Sequence, residues 1–141
     1  MFTPAPWPCV TAMVERRQRW RRGRRAEAWA GFWLRLKGYR ILARNFRVPV
    51  GEIDAIAGRG RILALVEVKA RADLATALAA VAPRQWQRIA RAATWFAAAD
   101  RRAADRDWRF DLMVIRPWRR PRHLVDAWRP SAGRPLDGRA V

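Results

Sequence analysis

Lysine is nearly missing from this basic chain. Of the 30 lysine and arginine side chains in 141 residues, only Lys37 and Lys69 are lysines. Cysteine is reduced to Cys9 in a proline-rich stretch and histidine to His123. These shortages exclude an internal disulfide and any metal site built from several thiolates or imidazoles. A metal, if held, is held by carboxylates, which suit Mg²⁺ or Mn²⁺ better than zinc. No apolar run approaches the ~20 residues of a membrane-spanning helix, so no membrane partner is expected. The first residues, MFTPAPWPCVTAMVERR, lack the basic-then-apolar order of a signal peptide, and a cytoplasmic location is expected. Acidic residues are also few: 12 against 30 basic ones leave a net charge of +18.

That excess points to a polyanionic partner. Phosphate backbones gain affinity through counterion release, and the planar arginine fork matches phosphate oxygens. Nucleic acid is the expected partner, DNA ahead of RNA. An acidic protein or lipid surface is the alternative, and the residue usage of a GC-rich genome accounts for part of the arginine bias. The length suits one domain with a real core. Residues 1–13 carry three prolines and no period, residues 14–129 read as the folded domain, and residues 130–141 as a disordered tail.

Within the domain, Val14 to Lys37 is helical in pattern. Ala26, Trp29, Ala30, Trp33 and Leu36 form one apolar stripe, and Gly38 stands where a helix ends. Tyr39 to Val50 reads as a strand. Ile53 to Ala57 and Ile62 to Ala70 read as a hairpin around Gly58-Arg59-Gly60. Leu74 to Asp100 is helical, with Pro83 opening its main helix and a core stripe of Ile89, Ala93, Phe96 and Ala97. Arg109 to Ile115 and His123 to Trp128 are the last strands. This order predicts an α/β domain with helices around a mixed five-stranded sheet.

The hairpin carries the chemistry. Strand alternation puts Glu67 and Lys69 on one face, and Glu52 with Asp54 on one face of the preceding strand. A two-residue loop, Arg59-Gly60 or Gly60-Arg61, brings Asp54 and Glu67 to the same side, opposite or one diagonal step apart; an odd loop separates them. Two carboxylates that close repel unless a proton or cation joins them. Asp54 and Glu67 are therefore the candidate Mg²⁺ or Mn²⁺ ligands, with the Val68 carbonyl as a further donor. Lys69 is the candidate group that orients water or offsets charge on a scissile phosphate. Glu27, beside the apolar stripe, is an additional candidate carboxylate. Glu52 is weaker, since pairing with an arginine accounts for it.

Several other residues have plainer readings. Arg21, Arg22, Arg24 and Arg25 on the first helix, Arg71 past the hairpin, and Arg84 and Arg88 on the later helix are candidate phosphate contacts. Trp29 and Trp33 are assigned to the core, while Trp7, Trp118 and Trp128 lie in or near loops and are candidates for base stacking. Asp111 is expected to pair with Arg109. His123 is read as a strand-edge residue rather than a general base.

The segments GRRAEAWA, LKGYRILARNFR, GEIDAIA, LVEVKAR, PRQWQRIARAA, RFDLMVI and LVDAW, in this order from Gly23 to Trp128, resemble the YraN-like family of uncharacterised bacterial proteins. That family lies in the restriction-endonuclease-like superfamily, alongside archaeal Holliday-junction resolvases. The resemblance implies a restriction-endonuclease-like fold and a nuclease core on Asp54, Glu67 and Lys69, with Glu27 at the family's acidic position on the first helix. It implies a metal-dependent endonuclease acting on DNA, branched or otherwise structured, and resolvase-like chemistry favours a homodimer. The rival is a non-catalytic nucleic-acid-binding protein on the same fold. The chain departs from the expected pattern at Gln85, where a basic residue is expected next to substrate.

Overall fold

The computed structural model describes residues 10–130, and side chains from Gly23 onward. Most of the proline-rich arm and of the tail, with Trp7 and Cys9, lies outside the described residues. Helix α1 (Val10–Leu36) leads to strands β1 (Arg40–Val48), β2 (Gly51–Arg59) and β3 (Ile62–Ala70). Helices α2 (Leu74–Ala79) and α3 (Pro83–Ala99) follow, then β4 (Asp107–Ile115) and β5 (Arg122–Trp128). The strands form one sheet in the order β1-β2-β3-β4-β5. All neighbours are antiparallel except β3 and β4, which run parallel. The expected mixed five-stranded sheet flanked by helices is observed, consistent with a restriction-endonuclease-like domain.

Local chemistry sets the element ends. Gly38 has a φ of +88°, and the Tyr39 N–H reaches back to the Leu34 carbonyl at 3.0 Å, closing α1 as a glycine cap does. Asp73 caps α2 by accepting from the Thr76 N–H at 2.7 Å. Pro83 opens α3, where its missing N–H costs nothing. Arg59 pairs with Ile62, so the hairpin loop is Gly60-Arg61, and Gly60 takes a φ of +55°.

Two cores lie on the two faces of the sheet. On one, Trp86, Ile89, Ala93 and Phe96 of α3 pack against Ile53, Ile56, Leu63 and Leu65. On the other, Ala26, Ala30 and Leu34 of α1 meet Ala55, Ala57, Ala64, Val66 and Val68. This corrects part of the expected α1 stripe: Trp29 and Leu36 are 55% and 64% exposed, whereas Ala26 and Ala30 are buried and the half-buried Trp33 packs against this core as expected. The buried ridge recurs at i, i+4 and i+8 and is built on alanine, because small side chains let the helix axis approach the sheet. Trp128 is corrected as well. It stacks on Trp86 at 6.1 Å and meets Phe110 edge-on at 5.1 Å, so its ring is occupied by the core.

Candidate active site

The β2–β3 hairpin sets the geometry. Ala55 faces Val66, and the next step along the register points Asp54 toward Glu67. The backbone N–H of Val68 donates to Asp54 Oδ2 at 2.9 Å. Glu67, 5% exposed, sits among Leu65, Val66 and Val68 in the most buried strand of the sheet. Its Oε1 lies 3.3 Å from the Lys69 ammonium, whose side chain is 24% exposed. The structure thus brings Asp54, Glu67 and Lys69 together, Asp54 and Glu67 in direct hydrogen-bonding contact.

Electrostatics mark this pair. Burial pushes the Asp54 carboxyl up to about 7, the Glu67 charge pushes the same way, and the Val68 N–H opposes them. Burial raises Glu67 too, against the pull of Lys69. Glu27 on α1 belongs to the same neighbourhood. Burial and then the Asp54 charge raise its pKa, while a hydrogen bond with Asn45 and the nearby Arg24 lower it. Glu52 lies farther out and pairs with Arg47 at 3.2 Å. Among the described residues, no three acidic, histidine or cysteine side chains converge closely enough to hold a metal ion by themselves.

A local break in the sheet accounts for where Asp54 stands. Ile53 packs in the α3 core and Ala55 in the α1 core, although regular alternation would put both on one side. The β1–β2 register itself stays in step here, with Arg44 opposite Ala55 and Phe46 opposite Ile53, so Asn45 is the β1 residue across from Asp54. Asn45 takes a φ of +49°, a left-handed conformation that asparagine accepts more readily than most residues. Alternation alone does not reveal this twist; an asparagine in mid-strand is its signal.

Basic side chains gather at the same end of the sheet. Arg71 follows β3 directly, and its N–H donates to the Ile115 carbonyl at 3.1 Å. Arg84 and Arg88 are exposed on α3, and Gln85 between them is half-buried. A Cβ built on Gly51 would lie 2.4 Å from the Arg88 carbonyl oxygen, so that turn of α3 sits on the start of β2. Arg24 and Arg25 are exposed on α1, whereas the side chains of Arg21 and Arg22 lie outside the described residues.

Residues 26–115 match the uncharacterised protein family UPF0102. The chain belongs to this family. UPF0102 is the YraN family that the GEID and VEVK segments resemble. A UPF0102 protein of Parvibaculum lavamentivorans is 52% identical over 111 residues, covering 79% of this chain and 84% of its own. One from Caulobacter vibrioides is 54% identical over 108 residues, covering 75% and 85%. A third, from Rhodopseudomonas palustris, is 50% identical over 129 residues, covering 92% and 93%. The UPF0102 match takes in Glu27, Asp54, Glu67, Lys69 and Gln85. Among the described residues, no helix of this UPF0102 chain is long and apolar enough to cross a membrane.

A second polar cluster lies at the β4–β5 ladder. Asp111 is fully buried and accepts from Arg109 Nε and Nη2 at 2.8 and 2.7 Å. His123 Nε2 lies 2.8 Å away, and the Asp126 N–H donates at 3.0 Å. Burial raises the Asp111 pKa, but these hydrogen bonds outweigh it and leave the carboxyl below its ordinary value. The Arg109 pairing is as expected. His123 stands on the edge strand β5, as expected, yet its side chain is only 2% exposed, and its Nδ1 meets Lys37 Nζ at 2.6 Å. The cluster ties the end of α1 to β5 and accounts for the other lysine of this UPF0102 chain in structural terms.

Proposed function

We propose that this protein is a metal-dependent endonuclease that hydrolyses phosphodiester bonds in DNA, branched or structured DNA in particular. The observation that carries the reading is the Asp54–Glu67 pair. Two carboxyl groups in contact, both raised by burial, are a place where a proton or a cation must balance charge. Asp54 and Glu67 would hold Mg²⁺ or Mn²⁺, with water and phosphate oxygens completing the shell, a division of donors that magnesium accepts. When bound, the cation supplies a positive centre for the scissile phosphate and a more acidic water. Lys69 then stands beside Glu67, where its ammonium stabilises charge growing on the phosphate and orients the attacking water. Val68 holds Asp54 through its N–H. Glu27 adds negative potential from the α1 side, and Arg71, Arg84 and Arg88 hold the flanking backbone.

The test is a divalent-metal series on labelled linear, flapped and four-way-junction DNA. Cleavage is expected with Mg²⁺ or Mn²⁺, and Asp54→Asn and Lys69→Ala should each abolish it while DNA binding survives. Cleavage unchanged in both variants refutes the assignment. A non-catalytic nucleic-acid-binding role is the second reading, favoured by the lack of a three-residue metal cluster among the described residues. It predicts steeply salt-dependent binding and no cleavage with any divalent ion.

A further inference from the structure

The β4–β5 turn carries an aromatic side chain with no use inside the fold. Trp118 is 104% exposed, so its ring touches no core. Its φ of +58° is left-handed, a conformation that bulky L-residues avoid and that costs backbone energy to hold. Arg116, Arg119, Arg120 and Arg122 surround it in sequence, and no acidic residue lies between Asp111 and Asp126. Arg116 Nη2 donates to the Arg120 carbonyl at 3.3 Å and braces the turn. Among the described residues, Arg116 Nε is buried without a hydrogen-bond partner, a donor left open at the base of the turn.

Topology puts this turn near the carboxylate pair. Because β3 and β4 are parallel, their C-terminal ends lie side by side: Lys69 pairs with Val114 and Ala70 with Ile115. The chain from Val114 to Trp118 spans at most ~14 Å when fully extended. An exposed ring among arginines therefore emerges from the same sheet end as Lys69 and Arg71. An indole offers a face on which any base can stack, and guanidinium groups on either side suit the adjoining phosphates.

We propose that Trp118 is a base-stacking residue that selects nucleic acid with an unpaired base next to the phosphate presented to Asp54, Glu67 and Lys69. The substrate class is then a flap, fork, junction or frayed end rather than continuous duplex, whose stacked bases offer no free face. The cutting step in this statement rests on the endonuclease reading; the stacking does not. The tip begins at Arg116, one residue past the family match.

The test uses the full chain in EDTA, with a 5′-flap DNA carrying 2-aminopurine at the first unpaired position and a blunt duplex of equal length. Trp118→Ala should weaken flap binding about ten-fold and duplex binding less than about two-fold, with Trp118→Phe restoring most of the loss. Quenching of 2-aminopurine should disappear in the alanine variant. Circular dichroism should be unchanged, since the ring packs against nothing. A flap preference and quenching untouched by Trp118→Ala overturn the proposal. So does a Trp118-dependent affinity for phosphatidylglycerol vesicles with DNA binding indifferent to the substitution, which marks the tip as a lipid contact. If metal-dependent cleavage persists while flap preference ignores Trp118, this inference fails alone. If the wild-type chain neither binds nor cuts DNA, both readings fail.

Discussion

Replacing Asp54 by asparagine should make the metal-free protein more stable at alkaline pH. An aspartate in an unfolded chain titrates near ~3.9. In the fold, burial and the neighbouring Glu67 push Asp54 up to about 7. The folded carboxyl thus holds its proton more tightly than the unfolded one. Its contribution favours the fold below pH ~4 and is lost as pH rises through the folded value. The full gap corresponds to about 4 kcal/mol. Asp54 is only half-buried and keeps part of its hydration, so about 2 kcal/mol is the expected cost of ionising it. Asparagine never ionises and keeps an oxygen for the Val68 N–H that Asp54 now accepts. In EDTA at pH 8, Asp54→Asn should therefore melt about 5 °C above wild type. Near pH 4 the two curves should coincide. Adding MgCl₂ at pH 8 and constant ionic strength should raise the wild-type Tm and leave the variant unmoved. Scanning fluorimetry across pH 4–9 reads all three effects. A variant less stable than wild type at pH 8 in EDTA, or an equal Mg²⁺ effect on both proteins, refutes the reasoning.

Two further perturbations probe the frame around the site. Gly51→Ala should destabilise by about 2 kcal/mol in urea titrations, because its Cβ would meet the rigid Arg88 carbonyl oxygen at 2.4 Å. Gly58→Ala should cost less than about 1 kcal/mol, since the atom it meets is the far end of the flexible Arg106 side chain; equal costs at the two glycines would contradict this account. Asp111→Asn strips the partner from Arg109 and His123 and should cost about 3 kcal/mol at pH 7. Because the Asp111 pKa is lowered in the fold, its contribution is present above the ordinary carboxylate range and fades as pH falls through the folded value. The stability gap between variant and wild type should narrow in acid, and a gap that widens there would count against the pairing.

The hairpin was legible because two kinds of signal agreed on it. Period-2 apolar positions bound each strand, and a glycine at a left-handed position marks the turn. Parity then restricted Asp54 and Glu67 to two outcomes, which the Gly60-Arg61 loop decided. The α1 face was not legible, because an apolar count weights tryptophan above alanine while close packing against a sheet selects the smaller side chain. Hydrophobic period alone cannot rank Ala26 above Trp29 for the inner ridge. Asp111 and Arg109 could be paired from sequence since they share a strand face two residues apart. Lys37 and His123 are 86 residues apart, and only the folded chain brings them together. Pattern likewise could not separate Trp128 from Trp118: both flank turns, and tertiary packing alone buries one ring and leaves the other in water.

The sheet's outer strands give the arginine bias a further consequence. β1 and β5 are the edges, and an edge strand offers unpaired N–H and C=O groups to any other strand it meets. Arg40, Arg44 and Arg47 are exposed along β1, and Arg122 is exposed on β5. The β1–β2 register also shifts between Ile41 and Ala43, and the β4–β5 register between Phe110 and Leu112. Asn45 and Asp126, both left-handed, bend the two outer strands. A second copy approaching edge to edge would meet like charge on a bent template. The residue type read first as an attractor of phosphate is thus also a barrier to strand-by-strand aggregation, and neutralising the β1 arginines would expose a nine-residue edge.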